Sequence, residues 1–193
     1  MKKILIVFLA AVVLSSCSSA NRYRFNQKVY DKGGKAYIVL GAGNNASHAD
    51  IPVNNYFIFQ NEKGEKVSFT IINGETLSFI VNPGTYKLIK YYLFGEVNYF
   101  GGIKHSITIN FTNYVDSEFS VKEGDALYLG YVYTAIADNA KNTWKRFFNF
   151  SINPKDISYE TQAQDRLSDT LKEQFDKESG KDIQKSLLNW NRK

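Results

Sequence analysis

Few residues in this 193-residue chain combine in a way that could do chemistry, and the first of them is its single cysteine, Cys17. A lone thiol cannot build a disulfide framework, and Cys17 has no core around it, since Ser18, Ser19, Ala20 and Asn21 follow directly. What precedes it is more telling. Lys2 and Lys3 are followed by Ile4 to Leu14, eleven uninterrupted apolar residues, and then by Ser15 and Ser16. That run is too short for a stable membrane span, which takes about 20 apolar residues. Charge, apolar stretch and small residues together have the three-part layout of an export signal.

Other reactive arrangements are thin. Gly41-Ala42-Gly43-Asn44-Asn45-Ala46 matches G-x-G-x-x-A behind an apolar run, but a dinucleotide site needs a helix opening at the third small position. Residues 44–55 carry Asn44, Asn45, Asp50, Pro52, Asn54 and Asn55 with no apolar period, so a glycine- and asparagine-rich loop is expected and no cofactor. His48 and His105 are far apart and show no metal-ligand spacing. There is no G-x-S-x-G nucleophile turn. Carboxylates fall mostly in turns and in the C-terminal region, where solvation is their ordinary role; a hydrolase with a fold-assembled carboxylate pair stays open as a third class. No catalytic residue and no metal ligand is assigned, and no enzyme activity is expected.

The stretch Leu14-Ser15-Ser16-Cys17 resembles the lipobox of bacterial lipoproteins. The resemblance implies cleavage before Cys17, acylation of its thiol and anchoring by two or more acyl chains, since one chain binds membranes only marginally. It also removes the only thiol from catalysis. In Gram-negative lipoproteins an aspartate after the cysteine usually retains the protein in the inner membrane. Ser18 therefore favours the outer membrane, facing the periplasm, if the cell is Gram-negative.

Loss of residues 1–16 takes Lys2 and Lys3 away and leaves 22 basic and 19 acidic side chains, a formal charge of +3. The basic residues do not cluster, so no nucleic-acid partner is expected. Residues 17–27 read as a polar tether, about ten residues that extend to roughly 30 Å, residues 28–153 as a β domain, and 154–193 as a helical segment.

Between them, apolar runs of five to ten residues alternate with Gly, Asn and Pro turn signals, the all-β signature. Ala36 to Leu40 suits a strand covered on both faces. Val67, Phe69 and Ile71 alternate before Asn73-Gly74, and Leu77, Phe79 and Val81 after it. This predicts a type I′ hairpin. Tyr86 and Leu88 share one parity, whereas Ile89, Tyr91 and Leu93 take the other, which predicts a bulge near Leu88. Ala126 to Ile136 is the most apolar run and should be a central strand. Ala163, Leu167, Leu171 and Phe175 then recur every four residues, as in an amphipathic helix starting near Asn153 or Ser158 and stopping at Gly180. Its stripe either caps the sandwich or meets a partner's groove.

Tyr91, Tyr92, Tyr99, Phe100, Tyr128, Tyr131 and Tyr133 could line a contact surface. Tyr99-Phe100, within the loop-like stretch Gly95 to Gly102, is the pair expected to be exposed.

The step Val81-Asn82-Pro83-Gly84-Thr85-Tyr86-Lys87-Leu88, followed by Phe119-x-Val121-x-x-Gly124-x-x-Leu127-Tyr128-Leu129-Gly130, resembles a loose group of envelope lipoproteins with a PEGA-like or transthyretin-like domain. The resemblance spans residues 35–136, leaves out the tail and transfers no catalytic residue. It implies an Ig-like or transthyretin-like antiparallel β-sandwich, here followed by a C-terminal amphipathic helix. The functional expectation is a non-enzymatic, membrane-anchored envelope lipoprotein acting through contacts with an envelope protein. The alternative is a binding module for glycan, peptidoglycan or a small ligand on a Tyr-rich surface.

Overall fold

A computed structural model describes residues 23–46, 53–98, 104–111, 117–136, 151–152 and 159–190. The chain is mainly β, an antiparallel-rich sandwich of two sheets with one helix near the C-terminus. The strands are β1 Ala36–Asn44, β2 Val53–Asn61, β3 Lys66–Ile71, β4 Thr76–Val81, β5 Gly84–Asn98, β6 Lys104–Phe111, β7 Glu118–Val121, β8 Ala126–Ile136, β9 Ser151–Ile152, β10 Tyr159–Gln164 and β11 Gln184–Lys185. Two helices, α1 Gln27–Tyr30 and α2 Asp169–Ser179, complete the described elements.

The first sheet runs β10-β8-β1-β4, with β11 taking the lower half of the β8 edge that β10 leaves free. The second runs β3-β2-β5-β6-β9, with β7 beside β6 along β5. β8 is central, as its apolar content predicts. Its partner β1 lies parallel to it, a pairing that no local signal announces.

The Asn73-Gly74 hairpin does not form. β3 is an edge of the second sheet and β4 an edge of the first, so the turn carries the chain from one layer to the other. The predicted alternation survives but is used differently. Val67, Phe69 and Ile71 point inward from one layer, Phe79 and Val81 from the other, and the Phe69 and Phe79 rings meet across the interior with centroids 4.5 Å apart. Two inward rows gain more by facing each other than by lying side by side on one sheet. Asn82-Pro83 crosses back between β4 and β5 in the same way.

The bulge predicted near Leu88 is present. Phe59 pairs with Leu88 but Ile58 with Lys90, leaving Ile89 extra and exposed. Tyr86, Leu88, Tyr91 and Leu93 consequently all face inward. The interior is aromatic: Tyr91 stacks between Phe57 and Phe111 at 4.7 and 4.8 Å, and Tyr86 stacks on Phe119 at 5.1 Å. The buried Tyr91 hydroxyl bonds the Asn55 Oδ1 at 3.0 Å and the Thr134 Oγ1 at 2.7 Å, so its polar tip is satisfied.

Two boundaries differ from the sequence reading. The tether does not extend to residue 27: the Tyr23 carbonyl accepts from the Ile80 N–H, and the Phe25 N–H donates to the Ser78 carbonyl. These bonds cover the free edge of β4, which an exposed edge strand requires, and they leave six residue steps between Cys17 and Tyr23, about 20 Å when extended. Nor does the sandwich stop at 153, because β10 completes the first sheet. The four-residue stripe beginning at Ala163 crosses three local structures. Ala163 is in β10, Leu167 precedes the cap, and only Leu171 and Phe175 are helical. Ser168 is the N-cap, accepting from the Leu171 N–H, and Gly180 ends the helix in the left-handed conformation, φ 67°.

The outer face of the first sheet is covered by the tail. Phe175 and Ile183 are buried against Tyr37, Val39, Ala126 and Tyr128, with Leu167, Leu171, Phe25 and Tyr30 beside them. This is why β1 reads as a continuous apolar run: every residue of it is buried. Beyond β11 the chain turns inward. Leu188 joins the main core, and the Trp190 ring stands edge-on to Phe57 and Tyr91.

Candidate contact surface

The aromatics that could form a surface are sorted by the pleat of β5 and β8. Tyr91 is core. Tyr128 lies beneath the tail, where its hydroxyl accepts from the Arg166 N–H at 3.1 Å. Tyr131 is 6% exposed and is sandwiched between β1 and Arg166, whose guanidinium carbon lies 4.3 Å from the ring centroid. Tyr133 lies at the rim of the same guanidinium, at 5.4 Å. Tyr99 and Phe100 lie outside the described residues, as does His48; His105 is on β6.

Tyr131 also explains the G-x-G motif. The predicted loop is instead the second half of β1, and a Cβ on Gly41 would stand 2.5 Å from Tyr131 Cδ2, with one on Gly43 pressed on the Tyr131 hydroxyl. The glycines are there because a tyrosine ring lies flat over the strand.

The outer face of the second sheet is different. Tyr92, on β5, points outward and stacks on Tyr56 of β2, centroids 4.8 Å apart and planes within 10°. Phe94 meets Tyr56 edge-on at 6.0 Å and 77°. Lys90 Nζ lies 4.8 Å from the centre of the Tyr92 ring. Burial and the neighbouring Tyr56 raise the Tyr92 hydroxyl above its ordinary pKa. All three rings are half-buried. The register sets short polar side chains around them: Thr70 is opposite Tyr56, Asn110 opposite Tyr92, Asn54 and Thr108 on either side of Phe94, and Ser68 opposite Ile58. Asn54 Oδ1 is buried and, among the described residues, has no hydrogen-bond partner.

Tyr56 and Phe94 were not singled out by sequence reasoning, although a signal existed. In Tyr56-Phe57-Ile58-Phe59 and Tyr91-Tyr92-Leu93-Phe94 both parities are apolar. One parity is core, and the other must be covered or must form a surface.

Several acidic groups hold structure together. Glu62 accepts from the Thr85 N–H at 2.8 Å, and hydrogen bonds from its own backbone N–H and from that of Thr85 hold its carboxyl below the usual range. Glu65 accepts from Asn82 Nδ2 at 3.1 Å, and Glu178 accepts from Tyr37 and Ser78, fastening α2 to the first sheet. Asp165 pairs with Lys185 at 2.7 Å across the two ends of the tail. Among the described residues, no group of three His, Cys, Asp or Glu side chains could hold a metal ion.

Comparison with protein families adds the other functional element. Residues 1–18 match the model for the prokaryotic membrane lipoprotein lipid attachment site, a match that includes Cys17. The chain is thus a bacterial lipoprotein, anchored to a membrane of the envelope through an N-terminal lipid. No helix among the described residues is long and apolar enough to cross a membrane. No curated protein and no solved structure matches the chain.

Proposed function

We propose that this lipoprotein is a non-enzymatic binding protein, held at the membrane by acyl groups on Cys17 and meeting another envelope component through the outward face of the β3-β2-β5-β6 sheet. The observation that carries the reading is the Tyr56–Tyr92 stack with Phe94 against it, half-buried on that face. Leaving such rings in water forgoes about 25 cal/mol for every Å² of apolar surface, which a bound partner would recover. Use of the helix stripe supports the same choice. Leu171 and Phe175 pack on the first sheet and are not free for a partner's groove. The structural engagement of Glu62, Glu65 and Glu178 favours binding over hydrolysis. Ser18 favours the outer membrane, facing the periplasm, in a Gram-negative cell.

The test is site-directed photo-crosslinking in whole cells, with the photoreactive residue at Thr70 or Asn110 on this face and at Glu173 on α2. Adducts from the two sheet positions and none from the helix are expected. Equal yields at all three sites, or none from the sheet, would overturn the assignment of the face.

A further inference from the structure

We infer that the free face of Tyr56, above Thr70 and Ser68, is a saccharide subsite on which one sugar ring stacks. The inference rests on the reading of the second sheet's outer face as the working surface, and it narrows the occupant.

Among the described residues, Tyr92 and Phe94 are the rings that meet Tyr56, and its second face has no aromatic partner. Tyr56 and Tyr92 are parallel and 4.8 Å apart, so each uses one face on the other. Phe94 buttresses Tyr56 edge-on. The remaining face of Tyr56 is turned away from β5, toward β3, where the opposed residue is Thr70 and the next outward one is Ser68. Both are short. The ring therefore stands beside a shelf floored by hydroxyls.

That combination suits a pyranose. Its C–H bonds carry partial positive charge on a flat face, which the negative face of an aromatic ring attracts, while its hydroxyls radiate at the edge and need partners. Ser68, Thr70, Asn54, Thr108 and Asn110 offer donors and acceptors around the rings without a net charge of their own. An apolar protein side chain on the same shelf would leave these groups dry and unpaired, which costs about 1–3 kcal/mol for each buried one. Lys90, beside Tyr92, adds a cation at one flank that an acidic sugar would meet.

The test uses the full-length lipoprotein in detergent micelles, titrated with a neutral saccharide, chitotetraose, and an acidic one, tetragalacturonate, by calorimetry and tyrosine fluorescence. Binding of at least one is expected, with the affinity reduced about tenfold or more in Tyr56→Ala. Thr70→Tyr keeps the Tyr56 ring and fills the shelf with a residue that strands favour, so it should weaken binding equally. Tighter binding of the acidic probe, lost in Lys90→Ala, would assign the flank to a carboxylate; equal binding of both would assign the stack alone. Absence of binding by either saccharide, or affinities within about twofold of the parent in both shelf variants, overturns the inference. If Thr70 crosslinks to an envelope protein while neither saccharide binds, the saccharide assignment fails and the face remains the working surface. If the sheet positions crosslink to nothing as well, both readings fall.

Discussion

The side chain of Asn73 bonds both backbone groups of Asn44: its Oδ1 accepts from the Asn44 N–H at 2.7 Å, and its Nδ2 donates to the Asn44 carbonyl at 3.1 Å. A turn residue thus acts as an extra piece of strand beside the end of β1. The Gly74 N–H adds a bond to the Ala42 carbonyl at 2.9 Å. These contacts let the chain cross between layers where a hairpin would have returned along one sheet. Asn73→Ala should lower unfolding free energy by about 1–3 kcal/mol, because two part-buried backbone groups lose their partner. Asn73→Asp keeps the acceptor and should lose less. Urea titration of the two variants measures the difference; equal stability to the parent would remove this role.

The tail is part of the domain, and its packing can be tested by contrast. Leu188 is 3% exposed, whereas its neighbour Leu187 is 44% exposed. Leu188→Ala should cost about 2–5 kcal/mol, and Leu187→Ala no more than about 0.5 kcal/mol. Thermal melts of both should separate clearly. Similar small effects would mean that the tail is only loosely docked.

Stability should fall above pH 10.0. Burial raises the hydroxyls of Tyr37, Tyr86 and Tyr91 above their ordinary 10.0, Tyr86 to about 12. The folded state therefore keeps protons that the unfolded chain releases. The contribution of Tyr86 is complete below pH 10.0 and is lost as pH rises through about 12, and those of Tyr37 and Tyr91 persist to still higher pH. Denaturant midpoints measured across this window should drop steeply, and Tyr91→Phe should flatten the slope by about 1.4 kcal/mol per pH unit. An unchanged slope would show that Tyr91 does not titrate with unfolding.

Anchoring should depend on one sulfur. A Cys17→Ala variant should be released from the membrane fraction or remain unprocessed, as followed by fractionation and by the mass of the mature chain. A processed variant that still sediments with membranes would contradict lipid attachment at that residue. With only residues 18–22 between the anchor and Tyr23, bound on β4, the sandwich should also stay within about 20 Å of the bilayer.

Much of this was legible without coordinates, and the reason is local. An apolar run of fixed length before Cys17 defines an address that needs no fold, and the lipid attachment site is matched there. The positions of β3 and β4 follow from alternation, the Ile89 bulge from a change of parity, and the end of α2 from the conformational freedom of Gly180. The helix start was misplaced because Ala163 and Leu167 fall by coincidence on the spacing of Leu171 and Phe175. Ser168, a strong N-cap followed by Asp169, was the better marker. Of the surface aromatics, Tyr92 was within reach, but Tyr56 and Phe94 were hidden by neighbours of equal hydrophobicity on the inward parity.

By itself, then, the chain's sequence determined its lipid attachment site and the inward side of alternating strands such as β3 and β4, because those depend on composition and on a two-residue period. Only the tertiary structure decided which layer a strand joins, that β1 and β8 run parallel, that Asn73-Gly74 crosses the sandwich, and that α2 shelters one outer face. A period of two says which side of a strand is buried, not against what. The partner of each face is chosen by contacts between residues distant in sequence, and the stacking of Tyr56 on Tyr92 is one of them.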